Sequence, residues 1–385
     1  DGLTKDEVLL KVLQAWWSIK PEDMPKDAHG FSKKYMPYGE VSLVDNEKDM
    51  IVQLLSGITA VLVGGFDKCL MLDCRTYPAR GVSEPEKDKV MRGSRDGFVE
   101  TLVFNTALIR RRIRDPKLIM EILTAGESSH TDIAMCYMEG RADKKLIEKI
   151  RKRIQTVEVD ALSMNQESLA ECIFPGKWFN PFPKFKFSER PDTSAASILE
   201  GNIVILVDNS PSAMILPSSV FDIIEEADDY YFPPVTGTYL RSSRMLISLL
   251  SMLLTPTWLM LMQNTVLIPY WLRFIQLSDP CNIPLVWQLL ILEFAIDGLR
   301  LAAVNTPNML TTPLSVIAGI VLGEYAVESG WFNSETMLYM AFVTIANYSQ
   351  ASFELGYAMK FMRIIILVCT PVFNIWGFIA GIIFS

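Results

Sequence analysis

The sequence predicts an α/β region of two subdomains followed by a polytopic helical transmembrane domain, and three observations carry that prediction. Charge is unevenly spread: residues 1–244 hold 32 of the 36 Lys and Arg and 37 of the 44 Asp and Glu, leaving 4 and 7 for residues 245–385. Between about 40 and 240 helix-like and strand-like periodicities alternate, the pattern of an α/β fold. Residues 245–268, MLISLLSMLLTPTWLMLMQNTVLI, then run without a single charge, long enough to cross ~30 Å of hydrocarbon.

Residues 1–39 form an N-terminal segment. ITAVLVGGFDKCLMLD (58–73) places two apolar β-type runs around Gly64-Gly65-Phe66-Asp67, the signature of a hairpin. The run from Gly57 aligns without gaps on GNIVILVDNSPSAMIL from Gly201, and a helix-like stretch precedes each. Two small α/β units follow from this, at 40–173 and 192–244, joined by a Pro-rich linker at 174–191. Between the hairpins, DGFVETLVFNTALIRRRI has helical spacing, HTDIAMCYMEG reads as a strand, and ADKKLIEKIRKRI as an amphipathic helix. The basic stretch IRRRIRDP (109–116) suits a helix C-terminus and is either a salt-bridged face or a docking patch for another subunit.

From 245 onward five spans are predicted, at 245–268, 285–304, 313–329, 335–355 and 361–385. Arg241 and Arg244 precede the first, and Lys360 and Arg363 fall between the fourth and fifth. Five crossings put both basic clusters on the side of the α/β region, which the positive-inside rule makes cytoplasmic. The chain begins at Asp1 and stops inside an apolar run, so it reads as a piece of a longer protein.

Three groups of residues in the spans could carry function. Glu293, Asp297 and Arg300 share one helix face, and because a charge facing lipid is costly the stripe should face protein or water, as an ion-pair cluster or as part of an ion path. Arg300 is expected to bond a carboxylate or a backbone carbonyl. In the third span Ser315, Gly319 and Gly323 form a row of small residues suited to close helix packing. Ile317, Ile320 or Val321, Glu324 and Glu328 occupy a neighbouring face, an apolar turn beside acids, as in the lining of cation channels. The competing reading of Glu328 is an acidic helix end reaching the surface.

Other chemistry has little material. The net charge of −8 argues against nucleic acid as a partner. Cys69, Cys74, Cys136, Cys172, Cys281 and Cys369 show no paired spacing, His29 and His130 stand alone, and no phosphate loop or nucleophile elbow occurs. No metal, cofactor or enzymatic activity is predicted.

At EPEKDKVMRGSRDGFVETLVFNTALIRRRIRDPKL (84–118), SERPDTSAASILEGNIVILVDNSPSAMILPSS (188–219), DDYY (228–231) and AGIVLGEYAVESG (318–330) the chain resembles the GerA family of spore germinant-receptor A subunits. The resemblance implies a multi-pass protein of the spore inner membrane with its α/β part in the cytoplasm. It further implies a ring homo-oligomer, a pentamer, that releases monovalent cations during germination, together with other receptor subunits or a small membrane partner. Glu324 departs from the uncharged polar residue that the family often carries there. A non-conducting scaffold or signal relay is the alternative.

Overall fold

In the computed structural model the described residues are 3–36, 39–77, 79–85, 87–175, 179–280, 282–306, 316–317 and 319–384. The chain divides into two compact units, residues 1–82 with 99–101 and residues 83–98 with 102–385.

The first unit contains α1 (Asp6–Trp17), α2 (Ala28–Tyr35), β1 (Glu40–Val44), α3 (Glu47–Leu55), β2 (Thr59–Val61) and β3 (Cys69–Asp73). The sheet order is β1-β3-β2. The hairpin expected at 58–73 is present, with Val61 opposite Leu70. Its apolar side chains meet α1 and α2 in a small core around Val12, Phe31, Leu70 and Leu72.

The second unit begins with α4 (Leu102–Arg112), β4 (Leu118–Ala125), β5 (Thr131–Met138), α5 (Lys144–Gln155) and α6 (Gln166–Ile173). Next come β6 (Lys186–Ser188), α7 (Pro191–Glu200), β7 (Ile203–Val207) and β8 (Ala213–Leu216), and the antiparallel sheet runs β4-β5-β7-β8-β6. Alternation along the strands sorts its side chains onto two faces. Ile133, Met135, Ile203 and Ile205 pack on α5 and α6. Ala134, Cys136, Val204 and Leu206 pack on α4 and α7.

This sheet corrects the expected subdomain boundaries. β5 pairs with β7, and β6 lies inside the predicted linker while pairing with β8, so segments from both sides of 174–191 share one core. The likeness of the two hairpins holds locally: Gly57 and Gly201 both take positive φ, +95° and +105°, to end a helix ahead of a hairpin.

Short helices α8 (Val220–Ile224) and α9 (Asp228–Tyr231) lead into α10 (Pro234–Gln263), which starts with proline in its first turn and continues for 30 residues. The first span was expected at 245, but α10 begins eleven residues earlier, so Arg241 and Arg244 sit inside it. After the loop that follows α10 come α11 (Leu285–Asn305), a π-helical stretch Gly319–Tyr325 continued by Ala326–Glu328, α12 (Ser334–Tyr348) and α13 (Phe353–Phe384). Two of these helices, α10 and α13, are long and apolar enough to cross a membrane. α11 and α12 run against α10 and α13. Gln288 meets Asn333 and Thr336 at one end of the bundle, and Ser248 meets Gln350 at the other.

α13 contains a reversal. Asn374 has φ +54° and ψ −133°. A Cβ on Gly377 would lie 2.1 Å from the Cys369 carbonyl oxygen, and one on Gly381 would lie 3.1 Å from the Ile366 Cα. In a continuous helix those pairs would be more than two turns apart, so residues 375–384 fold back along 366–373. The small-xxx-small spacing of Gly377 and Gly381 permits that approach. Hydrogen bonds between the Asn264 and Asn374 amides pin the reversal to the end of α10.

Candidate functional site

Glu293 lies in the bundle with 3% exposure, and its partner is Arg363 on α13, itself 1% exposed. The guanidinium donates from Nε to Oε1 at 2.6 Å and from Nη2 to Oε2 at 2.9 Å, while Nη1 donates to the Ser251 carbonyl at 2.6 Å. This two-pronged geometry is the strongest ion-pair arrangement open to arginine. Lys360 donates to the Glu293 carbonyl at 3.2 Å, approaches Glu293 Oε2 at 3.3 Å and bonds Asp297. Two acids and two bases thus neutralise one another inside the bundle. The space they leave is about 10 Å³, at the lower limit for one water molecule.

Arg300 is not part of this network, contrary to expectation. Its guanidinium stands over three rings, 4.8 Å from Tyr348, 5.3 Å from Tyr357 and 5.7 Å from Phe353. Lys360 and Arg363, assigned from sequence to an inner loop, are the true partners. The turn falls earlier, at 349–352, so both bases enter the bundle on α13. Their position three apart, on the face opposite Glu293, is the signal that could have found them.

The third-span residues are arranged differently. Ile317, Ile320, Val321, Glu324 and Glu328 are all exposed. A Cβ on Gly319 or Gly323 would meet nothing within 4 Å, and Ser315 lies outside the described residues. The π-helical stretch closes i→i+5 hydrogen bonds and so rotates neighbours away from the 3.6-residue faces on which the grouping rested. The structure does not bring these residues to the buried charge network.

A second polar cluster gathers the motif blocks at the base of α10. Arg190, 1% exposed, grips Asp192 with Nε at 3.0 Å and Nη2 at 2.6 Å and donates to the carbonyls of Asp88 and Ser94. Tyr231 donates its hydroxyl to Asp192, and its ring fills the space that a Cβ on Gly93 would need, 2.5 Å away. Gly93 has φ +126°, so only glycine suits the position. Burial opposes ionisation of Asp96, but hydrogen bonds from Arg112 and Ser94 outweigh it and draw its pKa down to about 2. The strap 87–96 reaches α9 through the Met91 amide, which donates to Asp228 at 3.1 Å.

α10 is clamped to the same cluster. Arg244 bonds the fully buried Asp229 at 2.6 Å and Glu226 at 2.7 Å, and Arg241 pairs with Glu225 at 3.0 Å. Burial pushes the Glu226 carboxyl above its ordinary range despite Arg244. Phe353 at the start of α13 carries Lys87 of the strap 5.5 Å from its centroid and Arg300 of α11 at 5.7 Å. One ring therefore connects the strap to two helices of the bundle. RGSRDGF, RRRIR, ERPD and DDYY show no shared structural role in the sequence, and the fold brings them into one cluster. Among the described residues no cluster of His, Cys, Asp and Glu has the geometry of a metal site.

The family described as Bacillus/Clostridium GerA spore germination protein matches residues 1–385. Stage V sporulation protein AF of Bacillus subtilis is 39% identical over 89% of this chain and 69% of its own length. Spore germination protein A1 of the same organism is 28% identical over 90% and 72%. A crystal structure of the N-terminal domain of the A subunit of the Bacillus megaterium spore germinant receptor GerK3 shares 35% identity, covering 32% of this chain and 96% of that one, with a TM-score of 0.26.

Proposed function

Because this chain belongs to the GerA family of spore germination proteins, we propose that it is a subunit of an oligomeric membrane cation channel acting in germination. It would release monovalent cations across the spore inner membrane, as a multi-pass protein with its α/β part on the cytoplasmic side. The observation that carries this reading is the segment 316–328. Gly319 and Gly323 have open space where a Cβ would stand, and Ile317, Val321 and Glu324 are exposed within one chain, which suits a segment whose neighbours are other copies around an axis. The acids would concentrate cations beside an apolar gate that closes by dewetting. The Glu293–Arg363 network, neutral and closed, fits a lock that holds the bundle together better than it fits an ion path. The relatives named as spore germination proteins, one of them the A subunit of a germinant receptor, support other receptor subunits as partners; a small membrane protein is the other proposed partner.

A non-conducting scaffold or relay is the second reading, favoured by the polar cluster at the base of α10, which would transmit force equally well without a pore. Ion flux through the reconstituted full chain separates the two. Ile317→Ala and Val321→Ala should leak K⁺ or Na⁺ without a signal, and Glu324→Gln should lower cation flux with assembly intact. Unchanged flux in all three, with the oligomer preserved, refutes conduction through this segment.

A further inference from the structure

Half of the eight tryptophans stand out together. Trp271, Trp287, Trp331 and Trp376 are between 57% and 78% exposed, whereas Trp258 inside the bundle is 2% exposed. They come from four separate stretches of chain: the loop after α10, the start of α11, the turn before α12 and the reversal in α13. The fold brings all four to one end. Asn264 and Asn374 bond one another there. Asn282 donates to the Gly330 carbonyl at 3.1 Å, Ser278 donates to Glu335 at 2.7 Å, and Gln288 donates to Asn333 at 2.8 Å. Trp258 Nε1 donates to the Ile275 carbonyl at 3.0 Å and holds the loop onto the bundle.

That loop has two faces. Ile268 is buried and Ile275 packs on the bundle core, while Tyr270, Trp271 and Phe274 point outward. Arg273 is exposed among them, 5.0 Å from the Tyr270 centroid. An outward face of this kind is the inverse of a soluble surface. The exposed aliphatic residues Leu246 and Leu249 lie earlier on α10, about 20–25 Å from its end at 1.5 Å per residue, and Tyr270, Trp271 and Phe274 follow the helix end.

We infer that this end of the bundle is a collar that sits in the phospholipid interface, with the four indoles at the boundary between headgroups and acyl chains and Arg273 on lipid phosphate. Indole and phenol rings favour that zone because they combine an apolar body with a polar edge, and a guanidinium matches phosphate in charge and geometry. The inference rests on the membrane-spanning reading above and adds a coordinate to it. From Trp287, Glu293 lies about 9 Å and Asp297 about 15 Å further along α11 at 1.5 Å per residue. Arg363 lies about 16 Å before the reversal by the same measure. The neutral charge network thus falls near the middle of a ~30 Å hydrocarbon layer, where an unpaired charge is least tolerable.

The test uses the full chain reconstituted in vesicles of phosphatidylglycerol and phosphatidylethanolamine, with acyl chains brominated either near the headgroup or near the chain end. Tryptophan emission of the native protein should be quenched more by the shallow bromines than by the deep ones. In W271F/W287F/W331F/W376F the quenchable share should fall at least about threefold, since the remaining tryptophans are buried or lie in the α/β part. If that variant does not fold, W271F and W376F singly should each remove part of the shallow quenching. Adding L249W to the four-fold variant gives the control, quenched best by the deep bromines. Native emission indifferent to both lipids while L249W is quenched overturns the collar and leaves the membrane reading standing; a protein surface would then cover the tryptophans. If L249W is also unquenched, the spanning assignment of α10 fails and the collar fails with it.

Discussion

Replacing Arg363 by Met tests the central claim about the bundle. The substitution keeps the length and apolar stem of the side chain but removes the two hydrogen bonds to Glu293 and the one to the Ser251 carbonyl. Glu293, 3% exposed, is left with Lys360 alone, which approaches it at 3.3 Å and is already engaged by Asp297. Stranding one member of a buried pair typically costs about 3–5 kcal/mol. Loss in a membrane protein is irreversible, so the observable is a rate. The half-life of monodisperse protein in detergent at a fixed elevated temperature should shorten at least about tenfold, even if only part of the loss appears in the unfolding rate. The pair E293M/R363M should regain most of that, because replacing both partners by apolar groups of similar volume is often close to neutral. Arg300→Leu should cost less, about 1–3 kcal/mol, because the contacts it removes are to the side chains of Tyr348, Tyr357 and Phe353 and it takes no hydrogen bond from Glu293. This reverses the sequence-based expectation that Arg300 anchors the acids. A silent R363M, or a double variant worse than both singles together, would refute the network as the lock of the bundle.

Two further outcomes follow from other parts of the molecule. Asp96 has a folded pKa of about 2, below the ordinary carboxylate range, so its pairing with Arg112 contributes stability that is fully present above pH ~4 and is lost as pH falls toward 2. Acid unfolding followed by near-ultraviolet circular dichroism should therefore lose part of its steepness in that window in D96N; an identical acid profile for D96N would contradict the assignment. At the reversal, G377L should prevent the fold-back, because even a Cβ would meet the Cys369 carbonyl oxygen. Cysteines at Ile366 and Gly381 should cross-link readily in the parent chain and not in G377L, and equal cross-linking in both would mean that the close approach is absent.

Local patterns were enough for much of the fold. The two hairpins, the amphipathic α5 and the charge-free run of α10 were legible because strand alternation, helical spacing and hydrocarbon length are properties of contiguous residues. The acidic positions Glu293 and Asp297 were also legible, since a carboxylate in an apolar helix demands a partner wherever the helix lies. Which partner was not. Arg300 is nearest in sequence, yet the choice of Arg363 and Lys360 depends on where α12 turns into α13 and on how α11 is rotated against them, both set by packing between segments far apart in the chain. The same holds for β6 pairing across the Pro-rich stretch to β8, for the strap whose Gly93 accepts the Tyr231 ring, and for the four tryptophans collected at one end of the bundle. Sequence alone determined which residues could not be left alone in water or in lipid. Tertiary structure decided who satisfies them, because the energies that choose among partners arise only when distant surfaces are desolvated together.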